Sequence, residues 1–482
     1  MTKRWVDATL RAARDAGVTD PDALLQAAAQ AIAAARGWWT GEVAAWMPDV
    51  PDPGGLPTSV LGAIREGLLA AGERKASGAH YTPDDVAARV TEMVVRESAS
   101  QVIDLSCGAG AFVLAAVRAG CDEVIGLDDD PLALRAAHHA LWLESRGDPA
   151  QLPRVDLQQL DGLSDAAAAR IADCDAVIGN PPYLFGEQRN TAGTDLARFT
   201  LAAGQWDTSW LFVEHALTHL RPGGRIGLLL PESIIARDEP QRVRQFILDR
   251  VGELHVWHIG PIFDAGVSVV ALVATKAASG AAGSFIYERD GLRTSVPLDT
   301  VRTRPARTFL PAAATSASPV AGSVALGDLV SISRGEEIGK RDLQPIVAGQ
   351  PLAPSLVPVL AGEGIAGGSP LAQPVPTRAM PADRVAKSRD RYRAPRIVIA
   401  KTGRRLRVGI DRVGHVALQS VYNLHLLPGA PPWATLEHLA TVLASDAIHA
   451  AHIEPLTSAR HVFPQITQRM LLAIRVPRGS AG

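Results

Sequence analysis

The sequence predicts an α/β protein built on a doubly wound parallel sheet, with a helical section before it and a mixed α/β section after it. Three observations carry this. Apolar runs of strand length alternate with helical patterns from about residue 73 to 276, as helices covering both faces of a parallel sheet require. The first run, Val102-Ile-Asp104-Leu105, enters the glycine-rich turn Ser106-Cys107-Gly108-Ala109-Gly110 and then a helical pattern through about Gly120. Successive runs end in acidic residues, at the edge where an open parallel sheet binds its ligand.

Taken in order, residues 1 to 72 are alanine-rich and helical in pattern, broken near Pro48-Asp-Val-Pro-Asp-Pro-Gly-Gly55. Trp5, Trp38, Trp39 and Trp46 lie on this section as a cap on the following core or as a docking surface for a partner, and the cap is the commoner use of buried tryptophan. In the turn after Val102-Ile-Asp104, Gly108 and Gly110 let the backbone approach a ligand closely. The third glycine of the dinucleotide fingerprint is missing, and nothing matches a phosphate loop. S-adenosylmethionine (SAM), whose sulfonium is cationic, fits better than a pyrophosphate. The run Glu123-Val-Ile-Gly-Leu127 ends in Asp128-Asp129-Asp130, where a carboxylate accepts ribose hydroxyls, and Asp128 has the expected register. A third, around Val155-Asp-Leu-Gln-Gln-Leu160, ends at Asp161, placed to accept an adenine amino group.

The fourth run, Asp175-Ala-Val-Ile-Gly179, leads into Asn180-Pro181-Pro182-Tyr183. Few chemistries need an amide, two prolines and an aromatic in one turn. An amino nitrogen such as N6 of adenine is a poor nucleophile because its lone pair is delocalised into the ring. The Asn180 side-chain oxygen and the Pro181 carbonyl can each accept one of its protons and draw the lone pair out of the ring plane. The Tyr183 face then supports the base by stacking. Methylation of such a nitrogen is the expected reaction.

With these motifs in this order, the chain resembles the gamma class of DNA N6-adenine methyltransferases over about residues 73 to 475. The resemblance implies a SAM-dependent, Rossmann-like methyltransferase domain over 73–310, a linker over 311–325 and a target-recognition domain over 326–482. Arg74-Lys75-Ala-Ser-Gly78-Ala-His-Tyr81-Thr82-Pro83 looks like family motif X, so Tyr81 and Thr82 are expected at the methionine end of the cofactor. The residues from Asp104 to Gly110 correspond to motif I, which places Asp104 near the cofactor's amino group and adds Ser106, Cys107, Gly108 and Gly110 to its site. Asp128, with Asp129, and Asp161 match motifs II and III. Trp206-Asp-Thr-Ser-Trp210-Leu-Phe212 and Leu220-Arg-Pro-Gly223 to Pro231 are similar to motifs V and VI, with Phe212 lining the cofactor pocket. Ile262-Phe263-Asp-Ala-Gly-Val-Ser-Val-Val-Ala271 resembles motif VIII, so Phe263 is expected to sandwich a flipped adenine against Tyr183. No metal is implied.

Charge divides the chain. Residues 1–290 carry 25 Lys and Arg against 38 Asp and Glu, net −13, whereas residues 291–482 carry 23 against 12, net +11. The basic half is the expected face for double-stranded DNA. Its densest stretch, 384 to 407, includes Arg393, Arg396, Lys401, Arg404, Arg405 and Arg407 around the apolar run Ile397-Val-Ile-Ala400, and these six are the candidate DNA contacts. Leu356-Val-Pro-Val-Leu360, Tyr422-Asn-Leu-His-Leu-Leu427 and Phe463-Pro-Gln-Ile-Thr467 are similar, more loosely, to segments of recognition domains.

Three cysteines, Cys107, Cys121 and Cys174, lack disulfide or zinc spacing, and no apolar run approaches the roughly 20 residues of a membrane span, so a cytoplasmic, nucleoid-associated enzyme is expected. Its expected partners are double-stranded DNA and a separate restriction or defence subunit. Pro51-Asp52 followed by Glu73-Arg-Lys75 formally matches a nuclease signature, but that site needs a β-hairpin where Ala63-Ile-Arg-Glu-Gly-Leu-Leu-Ala70 reads as helix. Methyltransferases acting on cytosine N4 usually carry serine at the position of Asn180. Those acting on protein glutamine share Asn-Pro-Pro-Tyr but leave the basic half without a role. An RNA methyltransferase has a similar turn, and a DNA-recognition subunit of a larger defence complex would lack cofactor residues that are present here.

Overall fold

The computed structural model describes residues 2–50, 56–57, 59–68, 82–95, 101–184, 195–235, 240–262, 268–277, 281–304, 307–309, 322–339, 342–347, 349–403, 405–449 and 466–478. The chain divides into two compact units, residues 1–310 and 311–482.

In the first unit, alanine and leucine at helical spacing give α1 (Thr2–Asp15), α2 (Pro21–Ala35) and α3 (Val60–Leu68). The start of α2 is fixed by Asp20, whose side chain accepts from the Asp22 amide at 3.0 Å, and by Pro21 in the first turn. These helices bury Trp5, Leu25, Ile32 and Ile64 in one core with Phe112 and Leu141, and Trp38, Trp39 and Trp46 pack against it half-buried. The N-terminal section therefore shares its core with the sheet's helices.

The remaining elements of this unit alternate: α4 (Asp84–Val94), β1 (Gln101–Asp104), α5 (Ala111–Arg118), β2 (Glu123–Asp128), α6 (Pro131–Glu144), β3 (Arg154–Gln159), α7 (Asp165–Asp173), β4 (Ala176–Gly179), α8 (Thr208–His219), β5 (Arg225–Pro231) and α9 (Gln241–Leu248). β6 (Val251–Pro261), β7 (Ser268–Lys276), β8 (Ser284–Arg289), β9 (Leu292–Pro297) and α10 (Leu298–Arg302) complete it. The nine strands form one sheet in the order β3-β2-β1-β4-β5-β7-β6-β8-β9. β1 to β5 are mutually parallel, with Val102 opposite Val124 on one side and Ala176 on the other. β7 runs antiparallel between β5 and β6, an insertion that chain order alone does not reveal. The consequence for the site is geometric. The carboxyl ends of β1 to β5, at Asp104, Asp128, Gln159, Gly179 and Pro231, share one edge of the sheet.

The second unit is a mixed α/β body. β11 (Val330–Arg334), β18 (Val421–Leu426), β15 (Arg396–Ala400) and β16 (Val408–Asp411) form an antiparallel sheet in that order. Its Ile397, Ile399, Tyr422 and Leu424 pack with Leu439 and Leu443 of α11 (Leu436–Leu443) and Leu471 of α12 (Gln468–Ala473). A smaller sheet holds β12 (Gln344–Pro345), β14 (Arg378–Pro381), β13 (Leu356–Leu360) and β17 (Val416–Ala417), and β10 (Val324–Ala325) pairs antiparallel with β19 (Arg475–Val476). The expected segments at 356–360, 396–400 and 421–426 are strands, whereas Thr467 caps α12. The rest of that last segment, 463–465, lies outside the described residues, as do the linker at 311–321 and the formal nuclease signature. Among the described residues no helix is long and apolar enough to cross a membrane.

Candidate active site

Between β1 and α5 the backbone turns through Gly108 (φ +54°) and Gly110 (φ +87°), a left-handed conformation that costs other residues free energy. Gly110 also caps α5, and a β-carbon there would stand 3.1 Å from Ala137 Cβ, so the loop lies tight on α6. Asp104, Ser106, Cys107, Gly108 and Gly110 thus form one continuous turn at the carboxyl edge. The buried Asp104 carboxylate accepts from the Ser106 amide at 3.0 Å. Burial pushes its pKa up to about 8; the Ser106 bond opposes this and the Asp128 charge adds to it. Cys107 is buried, and its thiol is pushed well above the ordinary range by that burial, so it is an inert part of the turn.

Asp128 closes the loop from the next strand. Its Oδ2 accepts from the Gly108 amide at 2.7 Å and its Oδ1 from the Asp130 amide at 2.9 Å. Burial raises its pKa to about 6, against the pull of those two amides. Asp129 is exposed beside it, and Asp161, two residues beyond β3, accepts from the Leu163 amide at 2.9 Å. Asp104 and Asp128 stand near enough for the charge of one to act on the other, and burial disfavours the charged form of both.

The Asn180 turn leaves the neighbouring strand. Asn180 Nδ2 donates to Thr82 Oγ1 at 3.1 Å, and the Tyr183 hydroxyl donates to Asn180 Oδ1 at 2.5 Å. The Tyr183 hydroxyl is pushed well above its ordinary pKa by burial and then by the Asp207 charge, which keeps it a donor. Pro181 is buried, Pro182 half-buried, and the Leu184 carbonyl accepts from both the Thr208 amide and its hydroxyl, at 3.2 and 3.3 Å, tying the turn to α8. Phe212 is buried within α8. Thr82, expected at the cofactor, accepts the Asn180 bond. Tyr81, the rest of motif X and Phe263 lie outside the described residues.

Two residues that sequence reasoning missed support this edge. Arg65 of α3 is buried and ion-pairs with Asp130, which also caps α6 through a 2.8 Å bond to the Leu132 amide. Asp207 caps α8, accepting from the Ser209 amide at 2.9 Å and its hydroxyl at 2.5 Å. The second had a signal, an Asp-x-Ser start before an apolar helix. The first had none, because its partner stands 65 positions away.

The basic stretch of the second unit separates into different roles. Arg393 and Arg405 are exposed, Arg405 pairing with Asp446; Lys401 and Arg407 are half-buried, Arg407 reaching the Thr402 carbonyl at 3.2 Å. Arg404 lies outside the described residues. Arg396 corrects the expectation. It is 0% exposed, ion-paired at 2.9 Å with an equally buried Asp411, and bonded to Asn423 Oδ1 at 2.9 Å. A side chain so enclosed cannot touch DNA; it is a polar strut in the core.

Residues 58–252 match the family model described as N-6 DNA Methylase. The chain is 27% identical over 230 residues to the type II methyltransferase M.BanIII of Aneurinibacillus aneurinilyticus, covering 42% of this chain and 39% of that protein. It is also 27% identical over 319 residues to the type II methyltransferase M.TthHB8I of Thermus thermophilus, covering 62% of this chain and 70% of that one. The aligned part thus spans about two fifths of the first relative's length. Among solved structures, the type IIL restriction-modification enzyme MmeI in complex with DNA superposes with a TM-score of 0.55 at 13% identity, over 88% of this chain and 70% of that one, a likeness of fold.

Proposed function

We propose that the chain is a site-specific DNA methyltransferase that transfers a methyl group from SAM to N6 of a flipped-out adenine, in a restriction-modification or phage-defence system. The observation that carries this is the Asn180 carboxamide, fixed at the carboxyl edge of the sheet beside a glycine turn and two carboxyl-bearing strand ends. The residues fit SAM. Burial holds the pKa values of Asp104 and Asp128 above the carboxylate range, and neighbouring acids add to the shift, so the cradle suits a cationic, hydroxyl-rich ligand and opposes a pyrophosphate. Bound SAM supplies the electrophilic methyl group. Asp104 would meet its ammonium, Asp128 and Asp129 its ribose, Asp161 its adenine, with Phe212 along the pocket wall.

The chain's own residues then activate the acceptor. Asn180 Oδ1 and the Pro181 carbonyl each take one N6 hydrogen, and the nitrogen lone pair rehybridises out of the ring plane. Tyr183 supports one face of the base, and Phe263 the other. After alkylation the nitrogen's proton is strongly acidic and leaves to solvent, so positioning and electrostatics carry the rate and no metal or dedicated base takes part. Flipping costs about a few kcal/mol, recovered from contacts made by the basic second unit through Arg393, Lys401, Arg404, Arg405 and Arg407. This reading places the enzyme in the cytoplasm at the nucleoid, with a separate nuclease or defence subunit as partner.

The test is methylation-sensitive long-read sequencing of DNA from cells expressing the chain or its Asn180→Ala variant. N6-methyladenine in one short motif, absent with the variant, is the expected result. DNA without a mark, or with N4-methylcytosine, overturns the reading in favour of an RNA or glutamine substrate or of a different base.

A further inference from the structure

A carboxylate accepts hydroxyl hydrogens more strongly than a neutral carboxyl, so an acid that is to hold a ribose has to stay charged. Around Asp128 the sequence works against this. Asp104 ends the neighbouring strand, Asp129 and Asp130 follow directly, Asp161 lies beyond β3, and the Cys107 thiol of the glycine turn feels the Asp128 charge. Burial and the Asp129 charge favour its protonated form; the Gly108 and Asp130 amides and the Arg65 charge favour the carboxylate.

Arg65 belongs to the helical section, not to the sheet. Its buried guanidinium ion-pairs with Asp130. The second Asp130 oxygen accepts from the Leu132 amide at 2.8 Å, which caps α6, and the Asp130 amide donates to Asp128 Oδ1 at 2.9 Å. Asp128 Oδ2 in turn accepts from Gly108 at 2.7 Å. Arg65, Asp130, Asp128 and Gly108 thus form one line of contacts from α3 to the glycine turn. The helices that carry it are fixed along α6 as well. Val60, Leu61 and Ile64 of α3 share a core with Leu134 and Leu141. Asp22 of α2 pairs with Arg135 and His139 at 3.4 and 3.3 Å, and Trp38 and Trp39 lie against Trp142 with ring centroids 4.9 and 5.5 Å apart. The helical section therefore braces α6 from its cap to its last turn.

Resting on the SAM-site reading above, we propose that this N-terminal section is part of the cofactor site and that Arg65 is its positioning residue: through Asp130 it holds the Asp128 carboxylate in place, and in its charged form, for the ribose.

The experiment measures SAM affinity by calorimetry from pH 5.5 to 9 in the parent, Arg65→Gln and Arg65→Lys, with the single-turnover methylation rate at saturating SAM alongside. Glutamine keeps a donor for Asp130 and removes the charge. It should weaken SAM binding about 3- to 10-fold below pH 6, the equivalent of about half a unit to one unit in a carboxyl pKa. The deficit should close by pH 9, where Asp128 is ionised in both proteins; Asp104, present in each, cancels in the ratio. Arg65→Lys should stay near the parent, and the rate at saturation should be parent-like in all three. A deficit of equal size at every pH makes Arg65 a packing residue and overturns the proposal, as does parent-like affinity throughout. Arg65→Met, which keeps the aliphatic stem, takes the place of Arg65→Gln should that variant not unfold cooperatively.

A second measurement needs no cofactor. The carboxyl carbon resonance of Asp128, assigned by its loss in Asp128→Asn, should titrate about half a unit to one unit higher in Arg65→Gln than in the parent. Equal midpoints overturn the proposal whatever ligand binds. The expected shift in a protein that binds no SAM would uphold the grip of Arg65 on Asp128 and sink the SAM reading instead.

Discussion

The last residue of β4, Gly179, lies against the Asp104 carboxylate at the end of β1: a β-carbon on Gly179 would stand 2.5 Å from Asp104 Oδ1 and 3.1 Å from its Cγ. Asp104 pairs with Ile178 in the ladder, so the close approach comes one residue past the register, where β4 gives way to the Asn180 turn. The residue that begins the glycine loop and the residue that delivers Asn180 are thus in direct contact.

Gly179→Ala tests that contact. The residue sits at φ +149°, where a side chain costs about 1–3 kcal/mol in strain, and the added carbon would displace Asp104 as well. The variant should lose both SAM affinity and methyl transfer, while a lesion confined to the Asn180 turn would spare the first. Calorimetry and a methylation assay on the same preparation separate the two. Parent-like SAM binding would mean that the strand ends give way independently.

A pH dependence follows from the same carboxyl. Its native pKa, about 8, lies above the roughly 3.9 of an unfolded aspartate, so the folded chain holds a proton that the unfolded chain gives up. The associated stability is complete below pH ~4 and is lost as pH rises toward 8. His215, pushed down to about 3 by burial and then by His219 and Arg198, acts in the opposite sense but only below its unfolded value near 6.5. His138, His219, His255 and His425, also lowered by burial, act in the same sense as His215 until their unfolded imidazoles have lost their protons, and Asp128, raised by burial to about 6, adds to the Asp104 effect mainly below that value. Comparison with Asp104→Asn, which still accepts from the Ser106 amide, therefore isolates Asp104: between pH 6.5 and 8, without ligand, the parent should lose on the order of 1–2 kcal/mol more than the variant. Parallel stability curves for the two proteins would show that Asp104 ionises like an ordinary aspartate.

What was legible in the sequence was contiguous. The glycine turn after β1, the acid after β2 and the Asn180 turn are each written in fewer than about ten successive residues, and strand alternation placed them on one edge. Relationships across long separations were not legible. The β7 strand enters the sheet between β5 and β6, Arg65 reaches Asp130 across 65 positions, and Thr82 meets Asn180 across 98. Basic density was misleading at one point: charge along the chain does not report depth, and Arg396 is neutralised by Asp411 from the adjacent strand.

Asp128 serves two ends. Its oxygens hold the amides of Gly108 and Asp130, at 2.7 and 2.9 Å, and the proposed ligand would share them. Asp128→Ala should weaken SAM binding by about 1.5–3 kcal/mol, the range for hydrogen bonds to a charged group, and leave duplex affinity intact. Asp128→Asn, which keeps one acceptor oxygen, should fall between. Unchanged SAM affinity in both would move the ribose contact to Asp129.

The second unit gives the sharpest contrast between two arginines three positions apart. Arg393 is exposed, whereas Arg396 is enclosed with Asp411 and Asn423. If Arg393 contacts a phosphate, Arg393→Ala should lower the slope of log affinity against log salt by about one unit, equally for all duplex sequences. It should leave the unfolding midpoint unchanged. Arg396→Ala should do the reverse, because removing one partner leaves a buried charge behind: stability falls by about 3–5 kcal/mol and the salt slope of whatever remains folded is that of the parent. Arg405→Ala, which breaks only an exposed pair with Asp446, should cost about 0–1 kcal/mol, so a change in its salt slope would report DNA contact rather than unfolding. Salt titrations of duplex binding and denaturant unfolding of the three variants decide the matter. Should Arg393 and Arg405 both bind duplex with the parent's salt slope, the basic stretch is a solvated face, and DNA must be held by other residues.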